Sequence, residues 1–361
     1  MKVLALNSSP RIQGQSKTLL MLEHLVKGME KAGAEVELVH LRKKKIKNCI
    51  GCFTCWTKTP GTCIHKDDMT RELYPKFIGS DIVVMATPLY HFTMNAVMKT
   101  FIERTLPVIQ PYLRSKDGVT YHPLRDRHPG VVILSVAGFP EMSVFDQLSN
   151  HLRFMYNVGL FAEIYRPAAE TMTQPVFKEI CDDILDAVSQ AGIELVKTLK
   201  VTPETMERIT QPICDSEVFG QMGNLFWDAC ISHGLTPEEA KAAGIIPRPT
   251  TIEEFLRLMQ MAFNSRSAEK QDTSIQFVFS GCQEGVCHFL IRDGTIESAL
   301  GETKKPDLVI DAPFDVWMDV VTGKADGAQL FHEGRYRAQG DMDLLTRMEA
   351  FFGSRKRENP R

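Results

Sequence analysis

Four cysteines, Cys49, Cys52, Cys55 and Cys63, fall within one short stretch of this 361-residue chain in the pattern C-x2-C-x2-C-x7-C. Three thiolates at that spacing can wrap one metal centre and a fourth can close it, and iron–sulfur clusters draw on compact cysteine runs of this sort. Zinc sites more often show two separated C-x2-C knuckles. Three readings stand side by side: a four-iron cluster, cysteines without a cluster that are structural or redox-active, and zinc. The basic run Arg42, Lys43, Lys44, Lys45 and Lys47 lies just upstream. Positive charge favours thiolate, although such a run equally makes a solvated face. The remaining cysteines, Cys181, Cys214, Cys230, Cys282 and Cys287, are scattered and read as small buried hydrophobes.

A second cluster of chemistry-bearing residues follows the first apolar run. Asn7-Ser8-Ser9-Pro10-Arg11 leads through Gly14 to Ser16-Lys17-Thr18. Hydroxyls, an arginine, a glycine and a helix start lie together there. The unpaired N–H groups and positive dipole end of a helix suit an anion. The segment is not a Walker loop, which needs glycine where Arg11 and Ser16 stand, and it is not G-x-G-x-x-G. Ser16 as a plain N-cap is the structural alternative; the hydroxyl-rich loop favours a phosphate monoester.

These residues need a scaffold, and the apolar pattern supplies one. Lys2–Leu6, Val36–Leu41, Asp81–Ala86, Val131–Val136 and Leu160–Tyr165 read as short apolar strands, the third stopped by Thr87-Pro88. Leu19, Leu22, Leu25 and Met29 put one apolar face on a helix from Ser16 to about Lys31, closed by Gly33. Asn95 to Leu106 is a further helix. Five apolar strands alternating with helices predict an α/β fold, a parallel sheet doubly wound and covered on both faces, with ligands at the carboxyl ends of its strands. Residues 174–210 read as a long helical stretch broken at Thr202-Pro203, and 215–250 as two shorter helices ending at Pro247 and Pro249. The grammar then changes. A helix over Thr251–Phe263, strands at Ile275–Phe279, Val286–Ile291, Asp307–Asp311 and Arg335–Gln339, an Asp293-Gly294 hairpin turn, and helices at Phe314–Val321 and Met342–Phe352 predict a smaller α+β unit. The domain reading is 1–212, a helical linker 213–250, and 251–355, with a frayed basic tail from Arg355.

With those residues in view, the first part of the chain resembles a known group. Asn-Ser-Ser-Pro-Arg-x-x-Gly-x-Ser, then Thr87-Pro88-Leu89-Tyr90, with the cysteine-rich insert between them, resembles NADPH-dependent FMN reductases and iron–sulfur flavoproteins over roughly residues 1–200. The resemblance implies a flavodoxin-like fold that binds FMN. It implies that Ser9, Arg11, Gly14, Ser16, Lys17 and Thr18 hold the FMN phosphate, that Pro88, Leu89 and Tyr90 line the isoalloxazine edge, and that Gly138 and Phe139 close the other side. Tyr90 and His91 are the candidate catalytic residues. NAD(P)H is implied as co-substrate, and Cys49, Cys52, Cys55 and Cys63 as ligands of a 4Fe-4S cluster, with a ferredoxin as the partner that would feed it. Residues ~255–353 resemble the sterol carrier protein type two fold on the strand–helix–Gly323-Lys324 arrangement and on Gly340-Asp341 before the last helix. That implies a lipid-binding domain, with Trp317, Met318, Phe331, Leu345, Met348, Phe351 and Phe352 as candidate lining residues.

Charge and composition bound the function. A formal net charge of -3 offers no footprint for nucleic acid. No run approaches the ~20 apolar residues that a membrane-spanning helix needs. The N-terminus does not read as a secretion signal, so a cytoplasmic location is expected. Three functions follow as expectations. The first is an FMN-dependent oxidoreductase taking hydride from NAD(P)H and reducing a small or apolar, quinone-like acceptor. The second is an iron–sulfur flavoprotein electron-transfer module, and the third a redox-gated lipid carrier. Relatives of this kind place FMN near a subunit interface, so a homodimer is expected by analogy.

Overall fold

The computed structural model describes residues 1–12, 14–174 and 177–352, except the side chains of residues 265 and 266. The basic tail lies outside the described residues. The chain divides into two compact units, Met1–Ile213 and Cys214–Arg361.

The first unit is built on β1 (Lys2–Asn7), α1 (Lys17–Lys31), β2 (Glu35–His40), α2 (Tyr74–Ile78), β3 (Ile82–Tyr90), β4 (Thr93–Met94), α3 (Ala96–Glu103), β5 (Arg114–Lys116), β6 (Val119–Tyr121), β7 (Gly130–Val136), α4 (Asp146–Tyr156), β8 (Leu160–Arg166), α5 (Lys178–Thr198) and α6 (Pro203–Thr210). Its main sheet runs β2-β1-β3-β7-β8, and those five strands pair in parallel. This is the doubly wound order with its switch point between β1 and β3. The central strands β1, β3 and β7 are near-continuous apolar runs because both faces are covered, whereas the edge strand β2 leaves Glu35 and Glu37 exposed. Val3, Ala5, Val84 and Val132 belong to one core with α1 and α5, whereas Leu4, Leu6, Val83 and Ile133 belong to the other with Phe77, Phe101 and Phe145. Alternate residues thus enter opposite layers, as the period-two strand demands.

Helices α1 and α5 meet through two glycines. A Cβ on Gly28 would stand 1.8 Å from the Ser189 carbonyl oxygen, and one on Gly192 2.2 Å from that of Leu25. No side chain fits between the two backbones there.

One boundary differs from the expectation. Strand β3 does not stop at Thr87-Pro88 but continues to Tyr90, with Pro88 in register with Val136. Strand β1 ends at Asn7, opposite Ala86, so beyond that point β3 has lost one neighbour and tolerates a proline as an edge strand does. It then turns back as a hairpin into β4, where Leu89 pairs Met94 and Tyr90 pairs Thr93. The two turn residues, His91 and Phe92, have φ of 46° and 62°. Such a turn normally takes glycine or asparagine, so a histidine and a phenylalanine there hold backbone strain.

The second unit comprises α7 (Ser216–His233), α8 (Pro237–Ala242), α9 (Ile252–Ala262), β9 (Asp272–Ser280), β10 (Gly285–Arg292), β11 (Thr295–Leu300), β12 (Leu308–Pro313), α10 (Phe314–Val321), α11 (Gly327–His332), β13 (Arg337–Gly340) and α12 (Met342–Phe352). Its sheet runs β11-β10-β9-β12-β13 and is antiparallel except for the β9–β12 pair. The β10–β11 turn is Asp293-Gly294 with φ of 45° and 77°, the conformation that this dipeptide favours. The core is aromatic: the Phe255 ring lies 5.1–5.8 Å from those of Phe277, Phe279 and Phe289. Of the expected lining residues, Trp317, Met318, Met348 and Phe351 are buried in this core, and Phe331, Leu345 and Phe352 pack against it half-buried. The Trp317 indole N–H is buried without an acceptor among the described residues.

Candidate functional site

The carboxyl ends of β1, β3, β7 and β8 meet at one edge of the first sheet. The loop after β1 is locked by its own side chains. The Asn7 Oδ1 accepts from the Ser9 amide at 3.0 Å, and the Ser9 hydroxyl from the Arg11 amide at 3.3 Å. Ser16 caps α1, its hydroxyl accepting from the Leu19 amide at 3.1 Å. The α1 N-terminus therefore opens onto this loop. Ser9, Ser16, Lys17 and Thr18 are buried, whereas Arg11 is exposed. Gly14 sits at φ +84°, a conformation that glycine adopts without steric cost.

Two residues that the sequence did not single out organise this corner. Asn95 is buried; its Nδ2 donates to the Ser8 carbonyl at 2.7 Å, its backbone amide donates to the Thr87 hydroxyl at 3.1 Å, and its Oδ1 caps α3. It ties the loop after β1 to the end of β3. Glu170, beyond β8, accepts from Arg11 at 2.6 Å and lies 4.0 Å from Lys17. Asn95 stood in the sequence only as the first residue of a helix, and nothing local marks Glu170.

The other expected residues stand around the same edge. Pro88 is buried, Leu89 half-buried and Tyr90 exposed at the end of β3. His91 is exposed on the strained turn. Gly138 follows β7, and a Cβ there would meet nothing within 4 Å; open space lies above its backbone. Phe139 is exposed and lies against Phe92, centroids 6.2 Å apart and planes 23° from parallel. Buried hydroxyls and a basic pair at a helix start, with open space beside glycine and exposed rings, fit a phosphate monoester attached to a flat ring system.

The cysteine insert packs against the opposite core layer, between β2 and α2. Cys55 is buried, Cys49 and Cys63 half-buried, and Cys52 exposed. All four line one shallow recess, which Arg104 also lines. Burial, then the neighbouring Cys63, pushes the Cys55 thiol up. Hydrogen bonds from Thr54 draw the exposed Cys52 thiol down. Among the described residues no three His, Cys, Asp or Glu side chains converge tightly enough to hold a single metal ion. A four-iron cluster takes one thiolate per iron, and the four thiols that line this recess are the donor set it requires.

The insert is anchored by an ion pair that the sequence reading missed. Arg104, just after α3, and Asp67 are both buried, 1% and 3% exposed at their side chains. Arg104 Nη1 donates to Asp67 Oδ2 at 2.7 Å and to the Lys47 carbonyl at 2.6 Å, and Nη2 donates to Asp67 Oδ1 and the Thr70 hydroxyl, each at 3.1 Å. The Lys47 and Thr70 amides donate to the same carboxylate at 2.9 and 3.2 Å. Burial alone would push the Asp67 carboxyl up; Arg104 and these amides outweigh it and hold it well below the usual carboxylate range.

Residues 1–163 match the family model described as NADPH-dependent FMN reductase, and residues 257–353 that of the SCP-2 sterol transfer family. An iron–sulfur flavoprotein of Archaeoglobus fulgidus is 43% identical over 119 residues, 33% of this chain and 52% of its own length. One of Methanocaldococcus jannaschii is 34% identical over 133 residues, 36% of this chain and 65% of its own. The chain thus spans about half to two thirds of the length of these curated relatives. Among solved structures, an FMN-dependent NADH-azoreductase from Bacillus anthracis in complex with FMN aligns over 54% of this chain and 99% of its own at 14% identity, with a TM-score of 0.42. The chain therefore resembles the NADPH-dependent FMN reductase family over residues 1–163 and the SCP-2 sterol transfer family over residues 257–353.

Proposed function

We propose that this protein is an FMN-dependent oxidoreductase that carries an iron–sulfur cluster on Cys49, Cys52, Cys55 and Cys63 and an apolar-ligand domain at its C-terminal end. The observation that carries the reading is the loop after β1, whose buried serines and basic residues stand at the start of α1, across the sheet edge from the open space at Gly138. Ser9, Ser16 and Thr18 hold the phosphate with Arg11 and Lys17, and Gly14 lets the loop turn toward it. Pro88, Leu89 and Tyr90 flank one side of the flavin ring and Gly138 and Phe139 the other. Tyr90 and His91, exposed at the rim, hold and hand over the proton that accompanies reduction of the acceptor. The flavin supplies hydride and single-electron chemistry, from NAD(P)H to a small or quinone-like acceptor; the protein's share is position and electrostatics. In the second unit, the buried Trp317 N–H offers a polar handle inside an otherwise apolar interior, which suits a lipid-like ligand with one acceptor group.

The cysteine recess favours a second reading of the donor. A cluster exchanges electrons singly, so a ferredoxin-like protein could replace NAD(P)H. An anaerobic absorption spectrum with iron and sulfide assays tests the cofactors: flavin bands with about four irons per chain support both, and no flavin after added FMN sinks the reading. Bleaching by NADPH alone supports the first donor. Bleaching only by a reduced ferredoxin supports the second.

A further inference from the structure

We infer that Arg104 is a positioning residue that sets the reduction potential of the four-cysteine centre, while Asp67 offsets part of its charge. The inference rests on the proposal that these cysteines hold a cluster. Four observations carry it. Arg104 lines the recess that the four cysteines line. Its guanidinium is buried, so its charge is poorly screened by solvent. Both terminal nitrogens are committed, to Asp67, Thr70 and the Lys47 carbonyl. Its Nε–H is buried and meets no acceptor in well-formed hydrogen-bond geometry among the described residues, and the Cys63 sulfur lies close enough to the guanidinium to accept from it.

A buried N–H that has lost water and has no well-formed hydrogen bond is costly. A thiolate sulfur bound to iron carries more negative charge than a thiol and is the acceptor that this donor lacks. The four commitments of the terminal nitrogens fix the fork, so the Nε–H cannot swing away to another partner. Net charge and hydrogen bonds to sulfur are among the levers that set cluster potentials. A fixed positive charge and a donor at Cys63 both favour the reduced centre, which holds one more electron. The carboxylate of Asp67 lies beyond the guanidinium and works against it.

The signs follow. Replacing Arg104 by glutamine must move the potential in the negative direction. Replacing Asp67 by asparagine, which keeps the shape and leaves the arginine charge unopposed, must move it in the positive direction. Thr70→Val, which removes one bond to the fork and no charge, must leave it near that of the unaltered protein. A general loosening of the insert would move all three in the same direction.

The test is an EPR-monitored redox titration of the full-length protein, purified anaerobically with iron, sulfide and FMN, alongside the three variants, with iron, sulfide and flavin counted in each. Opposite shifts for Arg104→Gln and Asp67→Asn with iron retained are the expected result. Where Arg104→Gln fails to fold, the isosteric Asp67→Asn decides alone. A potential that is unmoved or more negative in iron-replete Asp67→Asn overturns the inference while the cluster reading stands. Loss of iron from Asp67→Asn with FMN retained reduces the pair to a clamp and also overturns it. Absence of iron and sulfide from the unaltered protein sinks the cluster reading itself and this inference with it.

Discussion

Gly28→Ala tests the architecture that holds the phosphate loop, because its sign depends on one contact. In an open helix, alanine for glycine stabilises by about 0.5–1 kcal/mol. Gly28 lies inside α1, and a Cβ there would stand 1.8 Å from the Ser189 carbonyl oxygen of α5. Relief requires the helices to separate by about 1.7 Å, since carbon atoms sit ~3.5 Å or more from their neighbours at contact. Separation strips packing from Leu22, Leu25 and Met29 on one helix and Val188 and Leu195 on the other. Overpacking of this kind costs roughly 1–3 kcal/mol, more than the propensity gain. The expected result is therefore net destabilisation of about 1–2 kcal/mol, with weakened FMN binding because the N-terminus of α1 opens onto the loop. Trp56 is the sole tryptophan of the first unit, the others being Trp227 and Trp317. Urea unfolding followed by Trp56 fluorescence, in a Trp227→Phe, Trp317→Phe background, reports that unit. A Gly28→Ala protein that is as stable as its parent, or more so, would refute the close approach of α1 and α5.

Three further outcomes are expected. Gly138→Val places a side chain in open space at a backbone that does not require glycine. Stability should stay within about 0.5 kcal/mol while FMN affinity, read by flavin fluorescence quenching, falls; unchanged affinity would remove Gly138 from the site. Asp67→Ala leaves Arg104 buried and unopposed and should cost about 3–5 kcal/mol in chemical denaturation at pH 7. The Asp67 carboxyl is depressed on folding, so its contribution is fully present above the unfolded value near pH 4 and is lost as pH falls below it; the gap between Asp67→Ala and its parent should narrow from pH 5 to pH 3, and a gap that widens contradicts the pairing. Glu170→Gln frees Arg11 and Lys17 from a carboxylate that FMN phosphate must displace. Because the pair is about half exposed, the gain is limited to roughly 0.2–1 kcal/mol, a few-fold tighter FMN at low salt, and riboflavin binding should not change; an equal effect on both would place the phosphate elsewhere.

Local pattern carried far in this chain. Apolar runs marked all five parallel strands, and the continuous ones, at β1, β3 and β7, are the strands buried on both faces. The hydroxyl-rich loop before a helix, the Asp293-Gly294 turn and the cysteine spacing are likewise short-range statements, in which the residue types themselves dictate backbone geometry or donor chemistry. What stayed hidden depends on pairs far apart in the chain. Arg104 and Asp67 are 37 residues apart, Asn95 and the Ser8 carbonyl 87, and Arg11 and Glu170 159. Taken singly, each is an ordinary polar residue. Only the crossing of strands and helices brings a buried charge to its counter-charge, or one glycine against another helix's carbonyl. Pro88 shows the same division in one residue. Its type reads as a strand breaker, and it is tolerated because the neighbouring strand β1 ends at Asn7, opposite Ala86, two residues short of it. The residue types determined what chemistry the chain could hold; the tertiary structure decided which of those groups meet, because long-range contacts follow from topology and leave no periodic trace in the sequence.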